Sequence, residues 1–136
     1  MNYWLIKSEP FKYSWEQFQK DKKTMWDGVR NYQARNNLRE MKKGDLALFY
    51  HSNEGLEIMG IAKVVKEHYP DPTSDENGTW SAVDFAPFKK FPKPVGLARI
   101  KSEASLANME MLRLNRLSVT KVQAGEFDFI CALGGL

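Results

Sequence analysis

The sequence predicts an α+β fold, a small closed sheet of short strands with a few helices at its periphery. Three observations predict it. Runs of branched, aromatic and other apolar residues recur between Gly, Pro, Asn and Asp breaks, Leu46 to Val65 reads as a hairpin, and capping-box patterns open short helical stretches near either end. With 136 residues the chain is long enough for one core without disulfide staples, so residues 1–136 are expected to form a single domain.

Tyr3 to Lys7 reads as a strand, stopped by Ser8-Glu9-Pro10 because proline lacks a ladder donor. Ser14-Trp15-Glu16-Gln17 is a capping box for a helix to about Lys20, with Trp15 and Phe18 on its apolar face, and Lys20 to Lys23 is expected to be a solvated loop. Asn31 to Met41 carries Ala34, Leu38 and Met41 on one helical face and Arg35 and Arg39 on another. That helix follows a turn at Gly28, so Trp26, Gly28 and Asn31 should share one rim. Beyond the Met41 to Asp45 turn, Leu46 to Tyr50 is apolar nearly throughout and therefore central. His51-Ser52-Asn53 emerges from it, Glu54-Gly55 turns, and Ile58 to Val65 returns, with Gly60 as a bulge or a point of close backbone approach.

The second half is less regular. His68 to Gly78 is a loop by composition, Trp80 to Phe85 alternates as a strand, and Pro87 to Pro94 is expected to be a basic turn before a strand from Val95 to Ile100. Ser102 caps a helical segment to about Met109, with Leu106 and Met109 on its apolar face, and Leu117 to Val119 is extended. Thr120-Lys121-Val122-Gln123 reads as a second capping box, opening a terminal helix with Phe127, Ile130 and Cys131 toward the core and Gly134 just past its end.

Composition excludes several function classes. Hydrophobic residues at 43% and charged residues at 27% are ordinary for a globular chain, and no apolar run is long enough to span a bilayer. Met1 to Lys7 lacks the regions of a signal peptide and no long basic targeting run is present, so the cytoplasm is the expected compartment and a monomer the expected state. The single cysteine, Cys131, excludes an internal disulfide and a thiolate zinc cluster. No metal-spaced cluster, nucleophile elbow or P-loop stands in the sequence, so neither a metal nor a cofactor is expected.

Chemistry concentrates in Trp26-Asp27-Gly28-Val29-Arg30-Asn31-Tyr32-Gln33-Ala34-Arg35-Asn36. Trp26 offers a flat apolar face, and Asn31 and Asn36 carry donors and acceptors together, which suits a planar polar ligand such as a nucleobase. Lys20 to Lys43 holds eight basic residues against Asp21, Asp27 and Glu40, a local +5 that leaves the rest of the chain at −2. Lys22, Lys23, Arg30, Arg35 and Arg39 are therefore candidates for the phosphate backbone of a nucleic acid. Each of these residues also has an ordinary reading as core, turn or solvated surface; their concentration is what points to binding.

The motifs Tyr3-Trp4-Leu5-Ile6-Lys7-Ser8-Glu9-Pro10, Trp26 to Asn36, Met41-Lys42-Lys43-Gly44-Asp45, Phe49-Tyr50-His51-Ser52, Tyr69-Pro70-Asp71-Pro72-Thr73 and Arg116-Leu117-Ser118-Val119 closely resemble the EVE domain family, from Tyr3 to about Gly134. The resemblance implies a PUA-like mixed-strand pseudo-barrel of about five to six strands with peripheral helices. It also implies kinship with YTH domains, which read methylated adenine in RNA, and a role in recognising modified bases, including modified cytosines in DNA. On that resemblance the base pocket is expected from Lys7 and Ser8 at a strand end, Trp26 and Trp80 as aromatic walls, Val29 and Asn31, and the Tyr50-His51-Ser52 motif. The partner is then modified DNA or RNA, single-stranded or presenting a flipped base, and the domain is a non-enzymatic reader. His51 also admits an alternative, a general base in a nucleotide- or RNA-processing enzyme with Ser52 or Ser8 nearby; a protein-interaction module using exposed aromatics is a third class.

Overall fold

The computed structural model describes every residue, Met1–Leu136. The chain passes through β1 (Tyr3–Ser8), α1 (Trp15–Asp21), β2 (Thr24–Trp26), α2 (Tyr32–Glu40), β3 (Leu46–His51), β4 (Glu57–Pro70), β5 (Ser81–Gly96), α3 (Leu97–Ser102), α4 (Glu110–Arg113), β6 (Val119–Val122) and α5 (Ala124–Leu133). All six strands form one mixed sheet in the order β2-β5-β4-β3-β1-β6. β1 and β3 are parallel, and every other neighbouring pair is antiparallel.

Alternation along the central strands divides the interior in two. Trp4, Ile6, Ala47 and Phe49 face Trp15 and Phe18 of the α1 region and Ala34 and Leu38 of α2, whereas Leu5, Leu48 and Tyr50 face Ile100, Met111, Phe127 and Ile130 from the C-terminal helices. Both faces are thus covered, as a central parallel pair requires. The sheet is also curled. On a flat sheet, three steps of about 4.8 Å would hold β2 and β3 about 14 Å apart, yet the rings of Trp26 on β2 and Phe49 on β3 lie with centroids 5.7 Å apart. This is the six-stranded pseudo-barrel with peripheral helices that the resemblance implied. No helix is long and apolar enough to cross a membrane.

Local chemistry explains most of the elements. The Ser14 hydroxyl accepts the Gln17 amide at 3.0 Å and starts α1, and Lys22 in a left-handed conformation ends it. The Asn31 side-chain oxygen accepts the Ala34 amide at 3.0 Å and starts α2. Gly60 is the close approach expected of it: a Cβ there would lie 2.5 Å from the Lys89 carbonyl oxygen and 2.7 Å from the Trp15 ring.

Five expectations are corrected. Part of the expected loop from Lys20 to Lys23 belongs to α1, and the three residues Thr24–Trp26 that follow it form a strand on β5. Pro87 to Pro94 lies within β5, not in a turn: Pro87 stands opposite Ala62 beside a register shift, and Pro92 and Pro94 fall in the irregular stretch between Lys90 and Val95 that has no partner on β4, while Phe91 stays fully buried. The strand expected from Val95 to Ile100 stops at Gly96, and α3 then ends at Ser102, whose hydroxyl donates back to the Arg99 carbonyl instead of capping a new helix. Thr120 also caps nothing; it is buried in β6 opposite Leu5, and the box that opens α5 is Gln123 with Glu126, three residues later. In α5, Phe127 and Ile130 are buried and Cys131 is half-buried.

Replacing Gly60 by alanine forces Lys89 or the Trp15 ring to move. Gly60→Ala should lower unfolding stability by about 1–3 kcal/mol in urea titration, with the denaturant slope unchanged.

Candidate nucleic-acid interface

The Trp26 stretch owes its shape to one buried carboxylate. β2 ends at Trp26, the chain turns through Gly28 in a left-handed conformation (φ 76°), and the Gly28 amide donates to Asp71 Oδ2 at 2.9 Å. Arg30 Nη1 donates to the same oxygen at 2.9 Å, and the Thr73 amide and hydroxyl donate to Oδ1 at 2.7 and 2.6 Å. Burial alone would raise the Asp71 pKa, but these donors from Thr73, Gly28 and Arg30 outweigh it and hold the carboxyl at about 2. The Trp-Asp-Gly-Val-Arg corner is thereby clamped to the Tyr-Pro-Asp-Pro-Thr loop.

Beside this corner lies a cleft of about 370 Å³ whose lining includes Lys7, Ser8, Tyr13, Trp26, Val29 and Ser118. Trp26 is half-buried and held edge-on by Tyr13, Phe49 and Phe85, at centroid distances of 6.4, 5.7 and 5.7 Å. The Ser8 hydroxyl donates to the Tyr13 carbonyl at 2.6 Å, which ties the end of β1 to the far wall. Lys12 and Arg30 bring positive charge to the rim and Glu9 and Asp27 bring carboxylates, so the cleft presents acceptors and donors around one aromatic wall. A cleft of similar volume, about 380 Å³, is lined by Glu40, Glu110 and Glu126 against Arg113 and Lys121, the last paired with Glu40, a mixed rim with no excess of positive charge for a phosphate strand.

The structure brings Lys7, Ser8, Trp26, Val29 and Arg30 together in the first cleft and places the other expected residues elsewhere. Tyr50 and Ser52 line a separate cleft that shares only Lys7 with the first. Trp80 is buried beneath Tyr32, at 4.9 Å between centroids, with the guanidiniums of Arg30 and Arg35 at 5.7 and 5.9 Å. Asn31 spends its oxygen on the α2 cap. Arg35 Nη1 donates to the Thr79 carbonyl at 3.0 Å, and Arg39 donates to the Ser81 hydroxyl and to the Gly78 and Thr79 carbonyls, so these guanidiniums fasten the acidic loop to α2. Lys22 and Lys23 are exposed. Tyr13 and Thr24 are cleft residues outside every motif of the family resemblance, and Ser118, within the Arg116 to Val119 motif, is not among the expected pocket residues.

His51 has a structural task. Its Nε2 accepts the buried Trp15 amide at 3.0 Å at the start of α1, its ring stands edge-on to Phe49, and burial pushes its pKa down. The neutral ring therefore carries its proton on Nδ1. It lines neither of the two clefts.

A curled mixed sheet, helices on both faces and a cleft at the end of its central strands define a PUA-like α+β domain. Within that class the chain belongs to the EVE domain family, whose profile matches residues 2–133. It is 38% identical to human thymocyte nuclear protein 1, over 97% of this chain and 73% of that protein. Among solved structures it resembles protein Atu2648 of Agrobacterium tumefaciens at 46% identity and a TM-score of 0.97, over 100% of this chain and 94% of that one. It also resembles human THYN1 in complex with 5-methylcytosine containing DNA, at 39% identity and a TM-score of 0.91, over 98% of both chains.

Two outcomes follow from the buried groups. Asp71, with a pKa lower when folded than unfolded, contributes stability that is complete above the unfolded value and lost as the pH falls through about 2. Asp71→Asn should cost on the order of 2 kcal/mol at neutral pH, a gap that begins to narrow near pH 4 and closes only at about pH 2 in denaturation series. His51→Ala leaves the Trp15 amide without its acceptor and should cost about 1–3 kcal/mol of stability, read by urea titration.

Proposed function

We propose that this EVE domain, acting as one unit over residues 1–136, is a non-enzymatic reader of a modified base in nucleic acid, with a modified cytosine in DNA as the first ligand. The observation that carries the reading is the strand-end cleft walled by Trp26, in a fold shared closely with a protein crystallised on 5-methylcytosine containing DNA. The base, supplied by a single strand or flipped from a duplex, stacks on Trp26 and meets hydrogen-bonding groups at Ser8, Glu9, Asp27 and Ser118 along its edge. A methyl group seated against Val29 or Met25 adds about 0.8 kcal/mol, so discrimination beyond a few-fold rests on how tightly the walls close. Methylated adenine in RNA is the second ligand to test, since stacking alone does not distinguish the polymers.

The reading calls on no metal, cofactor or second chain. It places the protein wherever its polymer is, the cytoplasm included. The enzymatic alternative loses support because His51, its base, is occupied by the Trp15 amide. Lys22 and Lys23, with the outward faces of Arg30, Arg35 and Arg39, form the phosphate track.

The test is fluorescence anisotropy of labelled single strands that differ at one base. Trp26→Ala should lose about 1–3 kcal/mol of binding to the modified strand and with it the preference over the plain one; equal affinity of the parent for modified and plain strands would overturn the reading. Replacing Lys22 and Lys23 together by alanine should weaken both strands alike and flatten the salt dependence, because phosphate contacts carry no base information.

A further inference from the structure

We propose that the second cleft, across Lys7 from the first, is a phosphate subsite for the same strand whose base occupies the Trp26 cleft; the proposal rests on the reader reading above. The cleft holds about 310 Å³. Its cationic groups are Lys7 and Lys101, no Asp or Glu lines it, and neither ammonium is paired with a carboxylate. The Tyr50 side chain is buried except where its hydroxyl, which makes no hydrogen bond within the protein, opens on the cleft, and Ser52 stands beside it with a second hydroxyl. An anion with several acceptor oxygens satisfies such a donor set, and a cation does not.

Alternation explains why these donors face away from the first cleft. Lys7 pairs with Tyr50 and Ser8 with His51 across β1 and β3, so Lys7 and Tyr50 leave the sheet on the side of the C-terminal helices while Ser8 leaves on the other. The ridge between the clefts is held by the Ser52 amide donating to the Ser8 carbonyl at 2.9 Å and by Asn53 donating to Glu9. Lys7 borders both clefts. Its Nζ donates to the Asn115 carbonyl at 2.9 Å, which places the ammonium in the second cleft and leaves further N–H donors for a ligand. A strand whose base enters one cleft thus meets, one step along its backbone, a second cleft that has cationic donors and no acid.

The experiment uses Lys101→Ala, which is remote from the Trp26 cleft, with single strands in which the linkage on one side of the modified base, then on the other, is an uncharged methylphosphonate. The variant should bind the fully charged strand several-fold more weakly than the parent, with a salt slope smaller by about 0.7. It should equal the parent on one of the two neutralised strands, and it should keep the parent's ratio of modified to plain affinity. Tyr50→Phe should show the same linkage-dependent loss to a smaller degree. Unchanged binding by Lys101→Ala, or an equal loss on both neutralised strands, would overturn the subsite. So would saturation of the cleft by inorganic phosphate, followed by NMR at the Ser52 and Leu112 amides, without any linkage dependence in the strands. Should modified and plain strands bind equally while the linkage-dependent loss persists, the base reading falls and the phosphate subsite stands.

Discussion

The parallel pairing of β1 with β3 is the constraint on which the rest of the structure depends. Six residues of each strand stand in register, from Tyr3 with Leu46 to Ser8 with His51. Parallel neighbours need a crossover instead of a tight turn, and here the crossover carries α1, β2 and α2. Its buried apolar residues, Trp15, Phe18, Val29, Ala34, Leu38 and Met41, fall on the Trp4, Ile6 and Phe49 face. The chain after β5 is left to cover the opposite face. Because both central strands end together, Lys7, Ser8, His51 and Ser52 meet on one edge, and that edge is the ridge between the two clefts.

Asp71 does for the interface what the strand pair does for the fold. A buried carboxylate is costly unless several donors converge on it, and this one receives the Gly28 amide and Arg30 guanidinium of the Trp26 corner and the Thr73 amide and hydroxyl of its own loop. The surrounding basic residues divide accordingly. Arg30, Arg35 and Arg39 hold the Asp71–Thr79 loop and the Trp80–Tyr32 stack, whereas Lys22 and Lys23 remain exposed. A local excess of positive charge thus serves structure and surface together, and its sum does not tell which guanidinium does which.

By itself the sequence determined whatever is settled between near neighbours. The Ser14 cap, the central position of Leu46 to Tyr50, the close approach at Gly60 and the turn at Gly28 each follow from a residue's own conformational or hydrogen-bonding limits, and the ordered motifs marked the family. The tertiary structure alone decided the strand through Pro87 to Pro94, because the irregular register against β4 leaves Pro92 and Pro94 without a partner, and the start of α5, because Thr120 is taken up by pairing with β1. It also separated the Tyr50-His51-Ser52 motif between two sides of a sheet, buried Trp80 under Tyr32, and brought Tyr13 and Ser118 to Trp26. Those outcomes depend on strand register and on the curl of the sheet, which are set by contacts among residues far apart in the chain and leave no local pattern to read.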